Sequence, residues 1–159
     1  MKPDRKFLLA HPAHFIALGF GVGLLKKAPG TWGTLLAVPL FMLLHLWLPG
    51  YFLWAAIGLF FIIGVWASAV TGTALGIADY GGIVIDEIVA FMLVLAFTPP
   101  TFAWGVGAFL LFRFFDIVKP WPISLADKNI KGGFGVMFDD VLAALLTIGC
   151  VLGVNSLIP

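Results

Sequence analysis

Carboxylate side chains are the residues of this sequence whose type and position most clearly indicate chemistry. Seven of the eight acidic residues lie in short polar segments between long apolar stretches. A protein that needs only solubility at a membrane interface favours Lys and Arg as anchors, so this many carboxylates among apolar neighbours indicates a functional set. The seven are Asp79, Asp86, Glu87, Asp116, Asp127, Asp139 and Asp140.

Oxygen donors of this kind suit a hard cation such as Mg²⁺, and the sequence lacks the cysteine clusters of zinc sites. Mg²⁺ usually takes only one or two carboxylates and keeps several waters, so some of the seven must be structural. Because the side chains of adjacent Asp86 and Glu87 diverge on a helix, we expect one to bind the ion and the other to pair with a cation. Asp139 and Asp140 precede an apolar stretch, where they either serve the metal site or cap the following helix.

Arg113, Asp116 and Lys119 recur every three residues, which aligns them along one stripe of a helix. A salt bridge within that helix is the simplest account. A lysine fixed by the following Pro-Trp-Pro sequence, beside carboxylates, also suits a phosphate held between cations and a metal. Two glycine-rich segments, 29–34 and 132–135, are predicted to be turns whose N–H groups can face an anion, although neither matches a nucleotide-binding loop.

Covalent phosphatase chemistry has little support in this sequence. Cys150, the only cysteine, lies in an apolar stretch without a nearby arginine or base, and it allows no disulfide within the chain. His11, His14 and His45 lie in or beside apolar segments. Metal-assisted attack of water on a phosphate is therefore the predicted reaction, with an aspartate nucleophile left open.

Membrane helices are the elements that must position these residues. The chain of 159 residues is 62% hydrophobic and 11% charged, whereas soluble domains are about 25% charged. Together with a formal net charge of +1, this composition excludes a disordered chain, a nucleic-acid binder with a basic stripe and a water-soluble globule. We therefore predict an all-α, polytopic membrane helical bundle in one domain, residues 1–159.

Prolines divide the apolar regions into helices of the length that a bilayer requires. Pro49-Gly50 separates the first pair and Pro99-Pro100 the second, and the aromatic residues around the first turn suit a membrane interface. We expect four to five apolar helices, at residues 31–48, 51–78, 83–98, 101–118 and 141–158.

Residues 7–25 are predicted to form an N-terminal interfacial or re-entrant helix. Basic clusters flank this segment on both sides, so a full crossing would place one cluster outside, against the positive-inside tendency. With the N-terminus inside, two helical hairpins return the chain to the cytoplasm at 79–87 and 113–140. Every candidate site residue then lies on the cytoplasmic face.

These polar segments resemble the phosphatidylglycerophosphatase A family of bacterial membrane phosphatases, and the resemblance covers nearly the whole chain. Thr34 stands where the family often has serine, which preserves the hydroxyl group. The four ordered motifs are Lys27-x-Pro29-Gly30-Thr31-x-Gly33-Thr34, Asp79-x-Gly81-x-Ile83-Val84-x-Asp86-Glu87, Phe112-Arg113-x-x-Asp116-x-x-Lys119-Pro120-Trp121-Pro122-Ile123 and Gly132-Gly133-x-Gly135-x-Met137-x-Asp139-Asp140.

The resemblance implies a Mg²⁺-dependent enzyme of the bacterial inner membrane that hydrolyses the terminal phosphate of phosphatidylglycerophosphate in phospholipid synthesis. A broader lipid phosphomonoesterase acting on phosphatidate or lysophosphatidate is the nearest alternative, because these lipids share a terminal phosphomonoester. A non-catalytic membrane subunit or small transporter is a more distant alternative. We expect the lipid and the bilayer as partners, and no nucleic acid.

The site residues are expected to divide into three overlapping roles. The expected metal ligands are Asp79, Asp86, Asp139 and Asp140. The expected catalytic residues are Asp86, Glu87, Asp116, Asp139 and Lys119, with Glu87 or Asp116 as base or supporting partner. The expected phosphate-binding residues are Lys27, Thr31, Arg113 and Lys119.

Overall fold

The computed structural model describes residues 2–48 and 50–158, and all regular secondary structure within them is helical. Pro49, which we expected to divide the first helical pair, lies outside the described residues. The elements are α1 (Arg5–Ala10), α2 (Pro12–Ala17), a 3₁₀ turn (Gly19–Leu24), α3 (Pro29–Trp47), α4 (Tyr51–Leu75), α5 (Ile85–Phe97), α6 (Phe102–Val118), α7 (Ile123–Asn129) and α8 (Gly132–Leu157).

Within the described residues, three helices are long and apolar enough to cross a membrane, which confirms the all-α membrane class. These are α3, α4 and α8, with 19, 25 and 26 residues. Helices α5 and α6 have 13 and 17 residues, fewer than the ~20 that a full span needs. The number of helices that cross the bilayer therefore stays a prediction.

Helix α8 departs most from the expected boundaries, since it begins at Gly132 rather than at residue 141. Asp139 and Asp140 consequently lie about two turns inside the helix, and the alternative that they cap its N-terminus is wrong. Helix α4 is shorter than expected, because it ends at Leu75 and is followed by Gly76 in the left-handed conformation.

The two glycine-rich segments that we predicted as turns are instead the first turns of α3 and α8. Close packing explains the glycines. A Cβ atom on Gly133 would lie 2.1 Å from the carbonyl oxygen of Val65, so only glycine lets α8 lie this close to α4.

Helix α5 occupies the centre of the bundle, where it packs against α3, α4, α6 and α8. Its sequence is apolar on all sides after the first turn, which is the pattern of a buried helix. Ile88, Phe91 and Val94 are accordingly fully buried. This central position brings the two carboxylates of its first turn into the interior.

The N-terminal segment lies against the bundle as short broken helices. Helices α1 and α2 have six residues each, about 9 Å, so neither crosses a bilayer by itself. The Nδ1 atom of His14 lies 3.0 Å from the hydroxyl of Thr71 in α4. The carbonyl of Ala17 accepts a 2.9 Å hydrogen bond from the amide of Val84, directly before α5. The segment therefore helps to fix the start of the central helix.

The close approach of α4 and α8 predicts that Gly133→Ala destabilises the protein by about 1–3 kcal/mol, the usual cost of overpacking. Gly149→Ala is the matched control, because a Cβ atom at Gly149 of α8 meets nothing within 4 Å. Thermal unfolding of the two purified variants in detergent checks this. Equal stability of the two variants would contradict the role of Gly133 in packing.

Candidate active site

Five charged side chains meet at one end of the bundle, and we call them the inner cluster. The first turn of α5 supplies two carboxylates, the last two turns of α6 supply an arginine and a carboxylate, and α8 supplies one carboxylate. The members are Asp86, Glu87, Arg113, Asp116 and Asp140.

Three carboxylates of the inner cluster are arranged as a metal site would require. One oxygen each of Asp86, Glu87 and Asp140 lies within 4.8 Å of the other two. The expectation that the side chains of Asp86 and Glu87 diverge is therefore wrong. Both residues lie in the first turn of α5, which faces α6 and α8. The longer glutamate side chain reaches toward the same point as the aspartate.

Unpartnered oxygens mark the same place. Asp86 Oδ1, Glu87 Oε2 and Asp140 Oδ2 are buried and have no hydrogen-bond partner among the described residues. A buried polar atom without a partner costs free energy, and the cost is greater for a charged group. A cation at this place would offset that cost for all three oxygens.

Arg113 is the cation within the inner cluster. Its Nη1 atom lies 2.5 Å from Asp116 Oδ2 and 3.5 Å from Glu87 Oε1, so the expected salt bridge within α6 is present. Nη1 also donates to the hydroxyl of Thr34 at 3.4 Å, and that hydroxyl donates to the carbonyl of Gly30 at 2.9 Å. The Nε atom is buried without a partner among the described residues.

Charge is unbalanced in the inner cluster. Asp116 lies beside Asp140, so four carboxylates share one guanidinium within the described part of the chain. Like charges at this separation repel strongly in an apolar interior. A divalent cation on carboxylate oxygens would offset the excess, and an all-oxygen donor set matches Mg²⁺. The residues present therefore fit the ion that the sequence led us to expect.

A second group of charges surrounds Lys119, which ends α6, and we call it the outer cluster. It consists of Lys119, Asp127 of α7 and Asp139 of α8. The Nζ atom of Lys119 donates to Asp127 Oδ1 at 2.7 Å and also to Asp139 Oδ2. One side chain thereby joins α6, α7 and α8.

Hydrogen bonding sets the ionisation of the outer cluster. Burial alone lowers the pKa of the Lys119 ammonium, but the bonds to Asp127 and Asp139 outweigh burial and hold the pKa above its usual value. The same hydrogen bond lowers the pKa of Asp127 below its usual range. Both groups are therefore charged at neutral pH.

The structure divides the four expected metal ligands between two places. Asp86 and Asp140 lie in the inner cluster, whereas Asp139 is bound to Lys119. Asp79 is exposed and lines a small cavity of about 30 Å³ together with Asp127 and Asp139. Such a cavity holds about one water molecule.

The N-terminal end of α3 touches the inner cluster. A Cβ atom on Gly30 would lie 2.1 Å from Glu87 Oε1, so the absent side chain makes room for the carboxylate. Thr31 lies half-buried in the same turn, and Lys27 is exposed just before it. The free N–H groups of this helix end suit an anion.

The positions of two residues at the inner cluster, Glu87 and Thr34, were not predicted from the sequence. Glu87 was expected as a base or supporting partner but shares the point occupied by Asp86 and Asp140. Thr34, one turn after Thr31, carries the hydroxyl that meets Arg113. The sequence signal for Thr34 was its position in the first of the four motifs, which begins at Lys27.

Comparison with known proteins gives consistent results. The family model for phosphatidylglycerophosphatase A matches residues 15–155. The phosphatidylglycerophosphatase A of Haemophilus influenzae is 41% identical over 154 residues, covering 96% of this chain and 94% of the relative. That of Escherichia coli is 37% identical over 142 residues, covering 89% and 82%.

A third relative, from Bacteroides thetaiotaomicron, carries the provisional name phosphatidylinositol-3-phosphatase. It is 41% identical over 137 residues, covering 82% of this chain and 85% of the relative. No solved structure matches the chain.

The repulsion within the inner cluster predicts how thermal stability changes when one carboxylate is neutralised and when Mg²⁺ is added. Asp86→Asn and Asp140→Asn should each raise the melting temperature measured in EDTA, because one buried charge is removed. Added Mg²⁺ at about 100 times its Kd should stabilise the wild type by about 2.7 kcal/mol, and both variants should lose most of that gain. Thermal unfolding with and without Mg²⁺ measures both effects.

Asp4→Asn is the control for the two neutral variants. Asp4 caps α1 through a 2.8 Å bond from Phe7 N, and asparagine caps equally well. If Asp86→Asn and Asp140→Asn responded to Mg²⁺ as fully as Asp4→Asn, the ion would not bind at the inner cluster.

Proposed function

The chain belongs to the phosphatidylglycerophosphatase A family, and we propose that it hydrolyses the terminal phosphomonoester of phosphatidylglycerophosphate, giving phosphatidylglycerol and phosphate. One observation carries the chemical part of this proposal. Three buried carboxylates converge at the end of an apolar bundle, with one oxygen of each within 4.8 Å of the other two. Each of the three also has an oxygen without a hydrogen-bond partner among the described residues. Such a site suits a divalent cation next to a lipid head group.

In this proposal Mg²⁺ is held by Asp86, Glu87 and Asp140. When bound, the ion would neutralise phosphate oxygens and make an attacking water more acidic. The cluster lies where α5, α6 and α8 meet, so its ligands stand on packed helices rather than on loops. Ligands that stand on rigid helices would hold the ion, and the substrate beside it, in an accurate position.

The phosphate is held in this proposal by groups around the inner cluster. Thr31 and the N–H groups of the first turn of α3 face the anion, because Gly30 of that turn meets Glu87. Lys27 contributes a flexible positive charge from the exposed side. The Nε atom of Arg113, which has no partner among the described residues, is available as a donor while Nη1 binds Asp116.

Proton transfer is assigned to Asp116. Its carboxylate lies beside Asp140 but outside the three-oxygen cluster, so it can accept a proton from the attacking water. The water oxygen then bonds to phosphorus while the bond to the glycerol oxygen breaks, and that oxygen takes a proton from solvent. Lys119 holds Asp139 and Asp127 and so positions α8 beside the site.

The positions of the two charged clusters also support a location for the site in the membrane. Both charged clusters lie at the ends of apolar helices, where a phosphate at the lipid–water boundary would meet them. We place this end of the bundle at the cytoplasmic face of the bacterial inner membrane, because basic residues flank residues 7–25 on both sides. The positive-inside tendency supports this orientation.

Loss of a cluster carboxylate should abolish catalysis by the purified enzyme. We expect Asp86→Asn and Asp140→Asn to reduce kcat for phosphate release by at least roughly 100-fold, since partners outside the ligand shell alone are worth about 10–100-fold. Lys119→Met should reduce activity less, because it only positions Asp139. Release of inorganic phosphate from phosphatidylglycerophosphate is the readout, with Asp4→Asn as control.

Parallel assays with phosphatidate and lysophosphatidate decide the breadth of the substrate range. The proposal requires the highest kcat/KM for phosphatidylglycerophosphate and requires EDTA to suppress turnover. Full activity of folded Asp86→Asn, or turnover that is insensitive to EDTA, would contradict it.

A further inference from the structure

An apolar groove runs between α6 and α8, away from both charged clusters. Its volume is about 370 Å³, within the range of about 300–1,000 Å³ that is usual for ligand pockets. The residues that line it include Trp104, Gly107 and Leu111 of α6 and Cys150, Val151 and Val154 of α8.

The sequence explains why the groove is open. Trp104, Gly107 and Leu111 are spaced three and four residues apart, so they lie on one face of α6. In the middle of that face Gly107 presents no side chain, and a Cβ atom built there meets nothing within 4 Å.

The groove lies at the depth of lipid chains below the inner cluster. Asp116 of α6 and Asp140 of α8 are adjacent, and both helices run from them toward the groove. Leu111 is five residues from Asp116, about 8 Å, and Val154 is fourteen residues from Asp140, about 21 Å. Half the hydrocarbon thickness is about 15 Å, so the part of the groove nearest the cluster lies at the depth of one acyl chain and the rest extends past the bilayer midplane.

We propose that the groove binds one acyl chain of the lipid substrate while the phosphate of the same molecule lies at the inner cluster. This proposal rests on the proposed function, which supplies a diacyl lipid as substrate. The position of the groove favours this occupant over a second copy of the protein, because the two helices that form the groove also carry Asp116 and Asp140. Its apolar lining offers little for a polar partner.

Filling the groove should change the dependence of KM on chain length. Gly107→Leu places a branched side chain in the groove, so we expect the ratio of KM for a dipalmitoyl substrate to KM for a dihexanoyl substrate to rise about tenfold. Gly149→Leu is the matched control, because Gly149 lies exposed on α8, has equal space and does not line the groove. Its ratio should equal that of the wild type.

A second measurement does not depend on hydrolysis. Cys150 is the only cysteine and lines the groove, so bound long-chain lipid should slow its alkylation by N-ethylmaleimide several-fold in wild type. Short-chain lipid should protect it less. If the wild type hydrolysed neither substrate, the proposed function would fail, and this protection would still decide whether the groove binds a chain.

Two results would overturn the groove proposal itself. One is an unchanged KM ratio in Gly107→Leu together with alkylation of Cys150 that is independent of lipid. The other is rapid disulfide crosslinking of Cys150 between two copies in membranes that Gly107→Leu abolishes, because the occupant would then be a second chain.

Discussion

Repulsion among four carboxylates that share one guanidinium is the constraint on which the rest of this structure depends. Asp86, Glu87, Asp116 and Asp140 come from three helices of an apolar bundle, where each would ordinarily be avoided. Arg113 offsets part of the charge through Asp116 and Glu87. The remaining excess is the charge that the proposed divalent cation would offset.

The surrounding architecture holds these carboxylates in place despite their repulsion. Helix α5 is packed on all sides, so its first turn cannot withdraw into water. Gly30 brings α3 against Glu87, and Gly133 brings α8 against α4. Lys119 joins α6, α7 and α8 outside the inner cluster. Packing offsets the free-energy cost of the buried charges and holds the carboxylates in the arrangement that the proposed ion would require.

The helical bundle was predictable because long charge-free stretches allow little else, and the prolines at 99–100 lie at a true boundary. The start of α8 was not predictable, since glycines usually signal turns, and the close contact of Gly133 with Val65 of α4 appears only in the folded bundle. That error carried over to Asp139 and Asp140, which looked like caps from their position before an apolar stretch.

The separation of the carboxylates into two clusters also depends on contacts between distant segments. Asp139 and Asp140 are adjacent in sequence but face Lys119 and the inner cluster respectively, as a rotation of about 100° per residue requires. The packing of α8 against α5 and α6 determines that Asp139 faces Lys119 and that Asp140 faces the inner cluster. Composition identified the chemistry of the site, and tertiary packing selected its members.

Anomalous scattering from crystals of the protein grown with Mn²⁺ in place of Mg²⁺ tests the central claim most directly. The account predicts one strong peak between the carboxylates of Asp86, Glu87 and Asp140. A peak beside Asp79, Asp127 and Asp139 instead, or no peak at the inner cluster at saturating Mn²⁺, would contradict it.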